Sequence, residues 1–111
     1  HHGLANALLI PASIEFTIQK AIDNNLISLK EKLTNITQII SCDTLSNIDN
    51  LHYLLSSFII NTGIKQGLLN QNIQEKDLQN LSQLAFEDSC HTTHPFPVFK
   101  EDFFNTYSNA L

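Results

Sequence analysis

Apolar residues recur at helical spacing along nearly the whole chain. No stretch alternates apolar and polar residues regularly enough to predict a strand. Three glycines and three prolines are the only strong helix breakers among 111 residues. The pattern therefore predicts an all-α fold, a bundle of about five helices without a sheet.

Polar segments separate the first three predicted helices. The first helix runs from about Gly3 to Phe16, and Pro11 removes one backbone donor and should kink it. The second covers roughly Asn24 to Ile40, where apolar residues repeat every three or four positions: Leu26, Leu29, Leu33, Ile36 and Ile40. The third follows the capping residues of SCDTLSN and has one apolar face, formed by Ile48, Leu51, Leu55, Phe58 and Ile59. We expect these apolar faces to form the core.

The second half of the chain predicts two shorter helices. The segment GIKQGLLNQNIQ is expected to be a loop with a short turn, and EKDLQNLSQLAFED resumes the helical pattern. Two prolines in HPFPVF exclude a helix there and favour an extended segment. The last helix is then KEDFFNTYSNAL.

The composition argues against nucleic-acid and membrane partners. The formal net charge is −5 and the six Lys and Arg residues are scattered, so the chain lacks the basic cluster that binds nucleic-acid phosphates. No apolar run approaches the about 20 residues that span a bilayer. Two isolated cysteines, Cys42 and Cys90, predict free thiols in a reducing compartment. We therefore expect a cytoplasmic protein without a nucleic-acid or membrane partner.

Two segments at opposite ends of the chain carry more specific motifs. The opening HHGLANALLIP contains H-G-L-A-N-A-L-L-x-P, with an aromatic residue five positions after the proline. Near the other end, LAFEDSCHTTHPFPVFKED contains A-x-x-D-x-C and then V-x-x-E-D. Both segments resemble the iron-dependent (group III) alcohol dehydrogenases. The first resembles the segment that supplies the last metal-binding histidine and opens a long helix, and the second resembles that family's C-terminal signature.

The resemblance implies an enzyme with two domains. Residues 1–111 would be the helical, metal-side C-terminal domain of a dehydroquinate-synthase-like fold, and the partner would be a preceding dinucleotide-binding domain that this chain lacks. The longer enzyme would transfer a hydride between a small alcohol or aldehyde and NAD or NADP. Its metal, Fe²⁺ with Zn²⁺ as the alternative, would act as a Lewis acid. Assembly of the longer enzyme as a homodimer is left open. The absence of methionine also predicts that the chain is part of a longer product.

The resemblance assigns a role to two residues and a catalytic role to none. His2 matches the family's fourth metal ligand, whose partners are an aspartate and two histidines that precede this chain. Cys90 matches a position that faces the substrate and the nicotinamide, where the thiol would be a wall of the pocket and not a nucleophile. Alone, the chain has neither the other ligands nor a Gly-rich phosphate-binding turn, so we expect it to be inactive.

The motifs also depart from the family pattern. Asn-Pro-Arg is replaced by His94, Pro95 and Phe96, and a usual threonine cap before the last helix is replaced by Phe99. A histidine that often follows the proline of the first motif is replaced by Ala12. These changes leave the identity of the substrate open.

Simpler interpretations exist for each candidate residue. The opening histidines, His1 and His2, could remain from a cleaved purification tag. Cys90 could be a small buried hydrophobic residue, which is the expectation for Cys42. Cys90, His91 and His94 form C-H-x-x-H, but a structural zinc site needs a fourth ligand and usually a second pair, so we expect a coincidence. The chain as a whole could be a stand-alone, non-catalytic helical interaction module.

Overall fold

The computed structural model describes all 111 residues and contains five α-helices and no strand. The all-α prediction is confirmed. The helices are α1 (His2–Asp23), α2 (Ile27–Ser41), α3 (Leu51–Asn61), α4 (Leu78–Glu87) and α5 (Lys100–Asn109). Four short 3-10 helices lie between them, at Ile48–Asn50, Leu68–Gln71, Glu75–Asp77 and Ser89–Thr93. No helix combines the length and the apolar character that crossing a membrane requires.

The first helix is longer than the sequence pattern predicted. It continues through Pro11 as far as Asp23 instead of ending near Phe16. The last turns stay helical because Ile18 and Ala21 are buried against α2 and α3. The second helix correspondingly begins at Ile27 and not near Asn24, because the Asn24 side chain donates to the carbonyl of Lys20 (2.9 Å) and so belongs to the end of α1.

The core consists of two clusters that both use α1. The first joins α1 to α2 and α3, and its buried members are Ile18, Ala21, Leu33, Ile48 and Leu51. The second joins the start of α1 to the segment after α3 and to the chain end, and its buried members are Leu8, Ala12, Leu68 and Ala110. A backbone hydrogen bond from Leu68 N–H to Ala110 C=O (2.8 Å) ties the last two segments together. The helix that begins with His2 is therefore the central element of the fold.

Three residues predicted for the core are instead exposed. They are Ile36 and Ile40 on α2 and Phe58 on α3, the last with 67% of its surface accessible. The second helix packs against α1 and α3 along one narrow line, where Leu33 and Thr37 are buried. The Thr37 hydroxyl donates to Leu33 C=O (2.8 Å), which satisfies its polar group inside the core. The helical spacing therefore predicted which residues share an apolar face, but no other element of the chain covers Ile36, Ile40 and Phe58.

The N-terminus of α5 is capped by only one side chain. The Asp102 carboxylate accepts a hydrogen bond from Phe99 N–H (2.8 Å), and its other oxygen lies 3.2 Å from Lys20 Nζ on α1. Phe99 occupies the N-cap position but its ring cannot accept a hydrogen bond from the first N–H groups of α5. Asp102 therefore both caps α5 and ties it to α1.

We expect Phe99→Thr to stabilise the chain by about 0.5–2 kcal/mol, because a threonine hydroxyl can accept one of the free N–H groups at the start of α5. The exposed phenyl ring contributes little to the core. Urea denaturation followed by circular dichroism measures the change. Phe99→Ala removes the same ring without adding an acceptor, and equal stability of the two variants would contradict the capping argument.

Candidate functional site

An open groove of about 900 Å³ lies between α1, α4, α5 and the segment that follows α4. It contains the two residues that the sequence predicted for the site: His2 from the first residue of α1 and Cys90 from the short helix Ser89–Thr93. Leu81, Leu84 and Val98 give part of the groove an apolar lining. The fold thus brings the two motif-bearing ends of the chain together on one surface.

His2 is exposed at the mouth of this groove. Gly3 follows it with open space around its Cα, so no neighbouring side chain crowds the start of the helix. One turn further along α1, the Asn6 side-chain nitrogen lies 3.3 Å from His2 Nε2. This long contact is the only hydrogen bond of the ring, so Nδ1 has no partner within the chain. The exposed neutral ring keeps one unprotonated nitrogen, which can bind a ligand from outside the chain when the contact with Asn6 gives way.

The chain alone does not assemble a metal site. No three His, Cys, Asp or Glu side chains converge closely enough to hold an ion. An exposed imidazole with one free nitrogen nevertheless fits the role of a single metal ligand whose partners come from elsewhere. Within this chain, His2 is the candidate for such a single ligand.

Cys90 is held in the groove by the carboxylate of Asp88. The carboxylate accepts a hydrogen bond from Cys90 N–H (2.9 Å), and this bond lowers the pKa of Asp88. The same carboxylate raises the pKa of the Cys90 thiol, first by hydrogen bonding to it and then by its negative charge. The thiol therefore stays protonated at neutral pH and is a poor nucleophile.

Neither cysteine is a buried hydrophobic residue. Both thiols are free and exposed, so the expectation of burial for Cys42 is wrong. Cys42 follows α2 as its C-cap residue, in a left-handed conformation (φ 55°). Cys90 lies on the surface as well, but at the groove.

We expect Asp88→Asn to speed alkylation of Cys90 by iodoacetamide near neutral pH. The carboxamide keeps an oxygen that can accept the Cys90 N–H but removes the negative charge, so the pKa of the thiol falls and more thiolate is present at a given pH. The curve of rate against pH should move to lower pH. Rates are measured in a Cys42→Ser background, which leaves Cys90 as the one thiol.

Glu87→Gln is the matched control for this experiment. Glu87 is the neighbouring exposed carboxylate, and it is hydrogen-bonded to Gln83 Nε2 (2.6 Å) and not to Cys90. Its replacement should leave the alkylation rate unchanged. A rate that is the same in Asp88→Asn and in the parent would contradict the assigned effect of Asp88.

A comparison with known families covers the whole chain. The model for the Fe-containing alcohol dehydrogenase family, C-terminal, matches residues 1–111. The chain belongs to the Fe-containing alcohol dehydrogenase family. The NAD-dependent methanol dehydrogenase of Bacillus methanolicus is 25% identical over 115 residues, which cover 99% of this chain and 28% of that relative. The chain therefore spans less than a third of the length of this relative. No solved structure matches significantly.

The C-terminal signature of this alcohol dehydrogenase family contains contacts that the sequence did not predict. Its D-x-C spacing is that of a side chain that accepts the N–H two residues on, and Asp88 does so for Cys90. Asp88 and Glu87 are adjacent carboxylates at the end of α4. The spacing was a usable signal for Asp88, and both carboxylates are indeed exposed.

The C-H-x-x-H segment does not form a zinc site in this fold. His91 Nε2 donates to Phe86 C=O (3.0 Å), and its ring stacks on Phe86 with centroids 5.1 Å apart. His94 packs instead against Phe96 and Phe16, with centroid distances of 4.3 and 6.4 Å. Both imidazoles line the groove but are oriented by different aromatic neighbours.

Proposed function

We propose that this chain is the helical, metal-side domain of a longer NAD(P)-dependent alcohol dehydrogenase. The longer enzyme transfers a hydride between a small alcohol or aldehyde and the nicotinamide. The observation that carries this proposal is that His2 and Cys90, from motifs at opposite ends of the chain, line the same open groove. The family membership of the whole chain supports it.

His2 is the residue that we assign to the metal. Its exposed ring offers one nitrogen, and the remaining ligands come from the part of the enzyme that precedes this chain. When bound, the metal supplies Lewis-acid polarisation of the alcohol oxygen. We propose Fe²⁺, with Zn²⁺ as the alternative, because imidazole is a suitable ligand for both ions.

The rest of the groove binds and shields the reacting groups. Leu81, Leu84 and Val98 exclude water from one side, and the protonated Cys90 thiol forms a neutral wall that does not attack the substrate. The other side of the groove is open, and we propose that the dinucleotide-binding domain covers it. The NAD-dependent methanol dehydrogenase relative favours NAD over NADP and a small alcohol as the substrate. The free thiols favour a cytoplasmic enzyme.

The intact protein, this chain together with the residues that precede it in its natural product, tests the proposal. It is loaded with Fe²⁺ or with Zn²⁺, and the reduction of NAD and of NADP is followed with methanol, ethanol and 1-propanol. We expect turnover that a chelator abolishes and added metal restores. Absence of alcohol oxidation with either metal and either cofactor would contradict the proposal, and a reading frame that opens directly at this chain would favour a stand-alone interaction module.

The 111-residue chain alone is expected not to bind NAD or NADP at micromolar concentrations. It has no Gly-rich turn at a helix N-terminus, which is where dinucleotide-binding proteins hold the pyrophosphate. Isothermal titration calorimetry measures the binding, with the intact protein as the positive control. Saturable micromolar binding by the isolated chain would place a cofactor site in the helical domain and contradict this division of roles.

A further inference from the structure

His94 lies in the groove in an environment that does not satisfy both of its ring nitrogens. It follows the short helix Ser89–Thr93 in an extended conformation (φ −66°, ψ 146°), as expected before a proline. Its backbone N–H donates to His91 C=O (3.1 Å), so the backbone of the residue is fixed. Its ring lines the groove together with His2 and Cys90.

Two phenylalanines fix the ring of His94. Phe96 meets it edge to face, with centroids 4.3 Å apart and planes 68° apart. Phe16 on α1 lies 6.4 Å away and also contacts Phe96, at 5.7 Å. Such edge-to-face contacts are a favoured arrangement of aromatic rings. The His94 imidazole is therefore held by neighbours from both ends of the chain, although neither offers a conventional hydrogen-bond acceptor.

The burial of Nδ1 selects one form of the ring. This atom is the one buried side-chain nitrogen or oxygen in the chain without a hydrogen-bond partner. A buried N–H without an acceptor is rarer in proteins than a buried unpaired acceptor, and an imidazolium would place a charged N–H at the same point. Burial accordingly lowers the pKa of His94. The favoured form is the neutral ring with its proton on Nε2.

We propose that His94 is a ligand-binding residue of the groove, whose neutral Nε2–H donates a hydrogen bond to an uncharged carbonyl or hydroxyl oxygen of a bound ligand. Nε2 has no hydrogen-bond partner in the protein, and the ring lines the open groove, so a ligand oxygen there can replace the water that would otherwise accept from Nε2–H. The identity of the ligand rests on the proposed function. The oxygen belongs either to a second hydroxyl of the alcohol or to the carboxamide of the nicotinamide.

The tautomer is tested in the 111-residue chain with ¹⁵N-labelled histidine. Long-range ¹H–¹⁵N correlation spectra distinguish protonated from unprotonated ring nitrogens, and the His94 signals are assigned by their loss in His94→Phe. At pH 7 we expect protonated Nε2 and unprotonated Nδ1. A proton on Nδ1, donated to a phenylalanine ring, or an imidazolium would overturn the proposal. This result does not depend on turnover, so an inactive enzyme contradicts the proposed function and not the tautomer.

Binding is tested in the metal-loaded intact protein with His94→Phe and His94→Asn. Phenylalanine keeps an aromatic ring among Phe16 and Phe96 but removes the donor, whereas asparagine keeps an N–H donor. We expect His94→Phe to raise a KM about tenfold, as the loss of one hydrogen bond does, with kcat changed less than about twofold. His94→Asn should stay within about threefold of the parent.

The pattern of KM values identifies the oxygen. The measurements compare NAD, 1-propanol and 1,2-propanediol as varied substrates. A rise for NAD alone assigns the hydrogen bond to the cofactor, and a rise for the diol but not for 1-propanol assigns it to a second substrate hydroxyl. Unchanged KM values for all three in His94→Phe, or equal effects of the two substitutions, would overturn the assignment of His94 as a donor.

Discussion

Replacing His2 with alanine in the intact enzyme is expected to remove metal and activity together. The substitution deletes one of the ligands that we propose for the metal, and losing even a residue that only orients a metal ligand typically lowers metal affinity or activity 10–100-fold. We therefore expect kcat/KM to fall at least about 100-fold, with a matching fall in bound iron measured by atomic absorption. The melting temperature of the 111-residue chain should not change, because the His2 side chain is exposed and lies outside both core clusters.

His1→Ala is the matched control for this substitution. His1 precedes α1 and lines a smaller cavity together with Leu4, Leu8 and Leu9, and it does not line the groove that contains His2. It should keep full metal content and normal turnover, which separates the role of His2 from a general effect of histidines at this end. Normal metal content in His2→Ala would instead favour the interpretation of both histidines as the remainder of a tag.

The largest effect on stability is expected from Leu51→Ala. Leu51 is completely buried at the start of α3 and packs in the cluster that contains Ile18 and Leu33. Its truncation loses buried apolar surface and leaves a cavity, which together cost about 2–5 kcal/mol for a buried leucine. Chemical denaturation of the 111-residue chain measures this loss as a lower midpoint at an unchanged slope.

Leu45→Ala provides the same chemical change at an exposed position. Leu45 lies between α2 and α3 with 90% of its surface accessible. Its truncation should change the free energy of unfolding by less than about 0.5 kcal/mol. Equal effects at Leu45 and Leu51 would show that the packing of α1, α2 and α3 differs from the one described.

The helices could be predicted from the sequence, but their ends and partners could not. Apolar spacing identified the five helices because the period of 3.6 residues is a local property. Whether α1 continues beyond Phe16 depends on burial of Ile18 and Ala21 by residues far along the chain. The exposure of Ile36 has the same origin, since a pattern tells which face is apolar but not whether another element covers it.

Only those residues of the candidate site that belong to a recognisable motif could be predicted from the sequence. His2 and Cys90 came from the resemblance to a family, and their common position in one groove required the folded chain. The unsatisfied Nδ1 of His94 could not be inferred, because its burial depends on Phe16 and Phe96, which are brought together only by the packing of the C-terminal segment on α1. The one indication in the sequence that this position is unusual was the replacement of the family's asparagine by His94.

Anomalous diffraction from crystals of the iron-loaded intact protein tests the central claim most directly. The account predicts one metal peak at the groove that contains Cys90, within bonding distance of a ring nitrogen of His2. The other ligands should come from residues that precede this chain. A fully occupied metal site whose ligands do not include His2 would contradict the account.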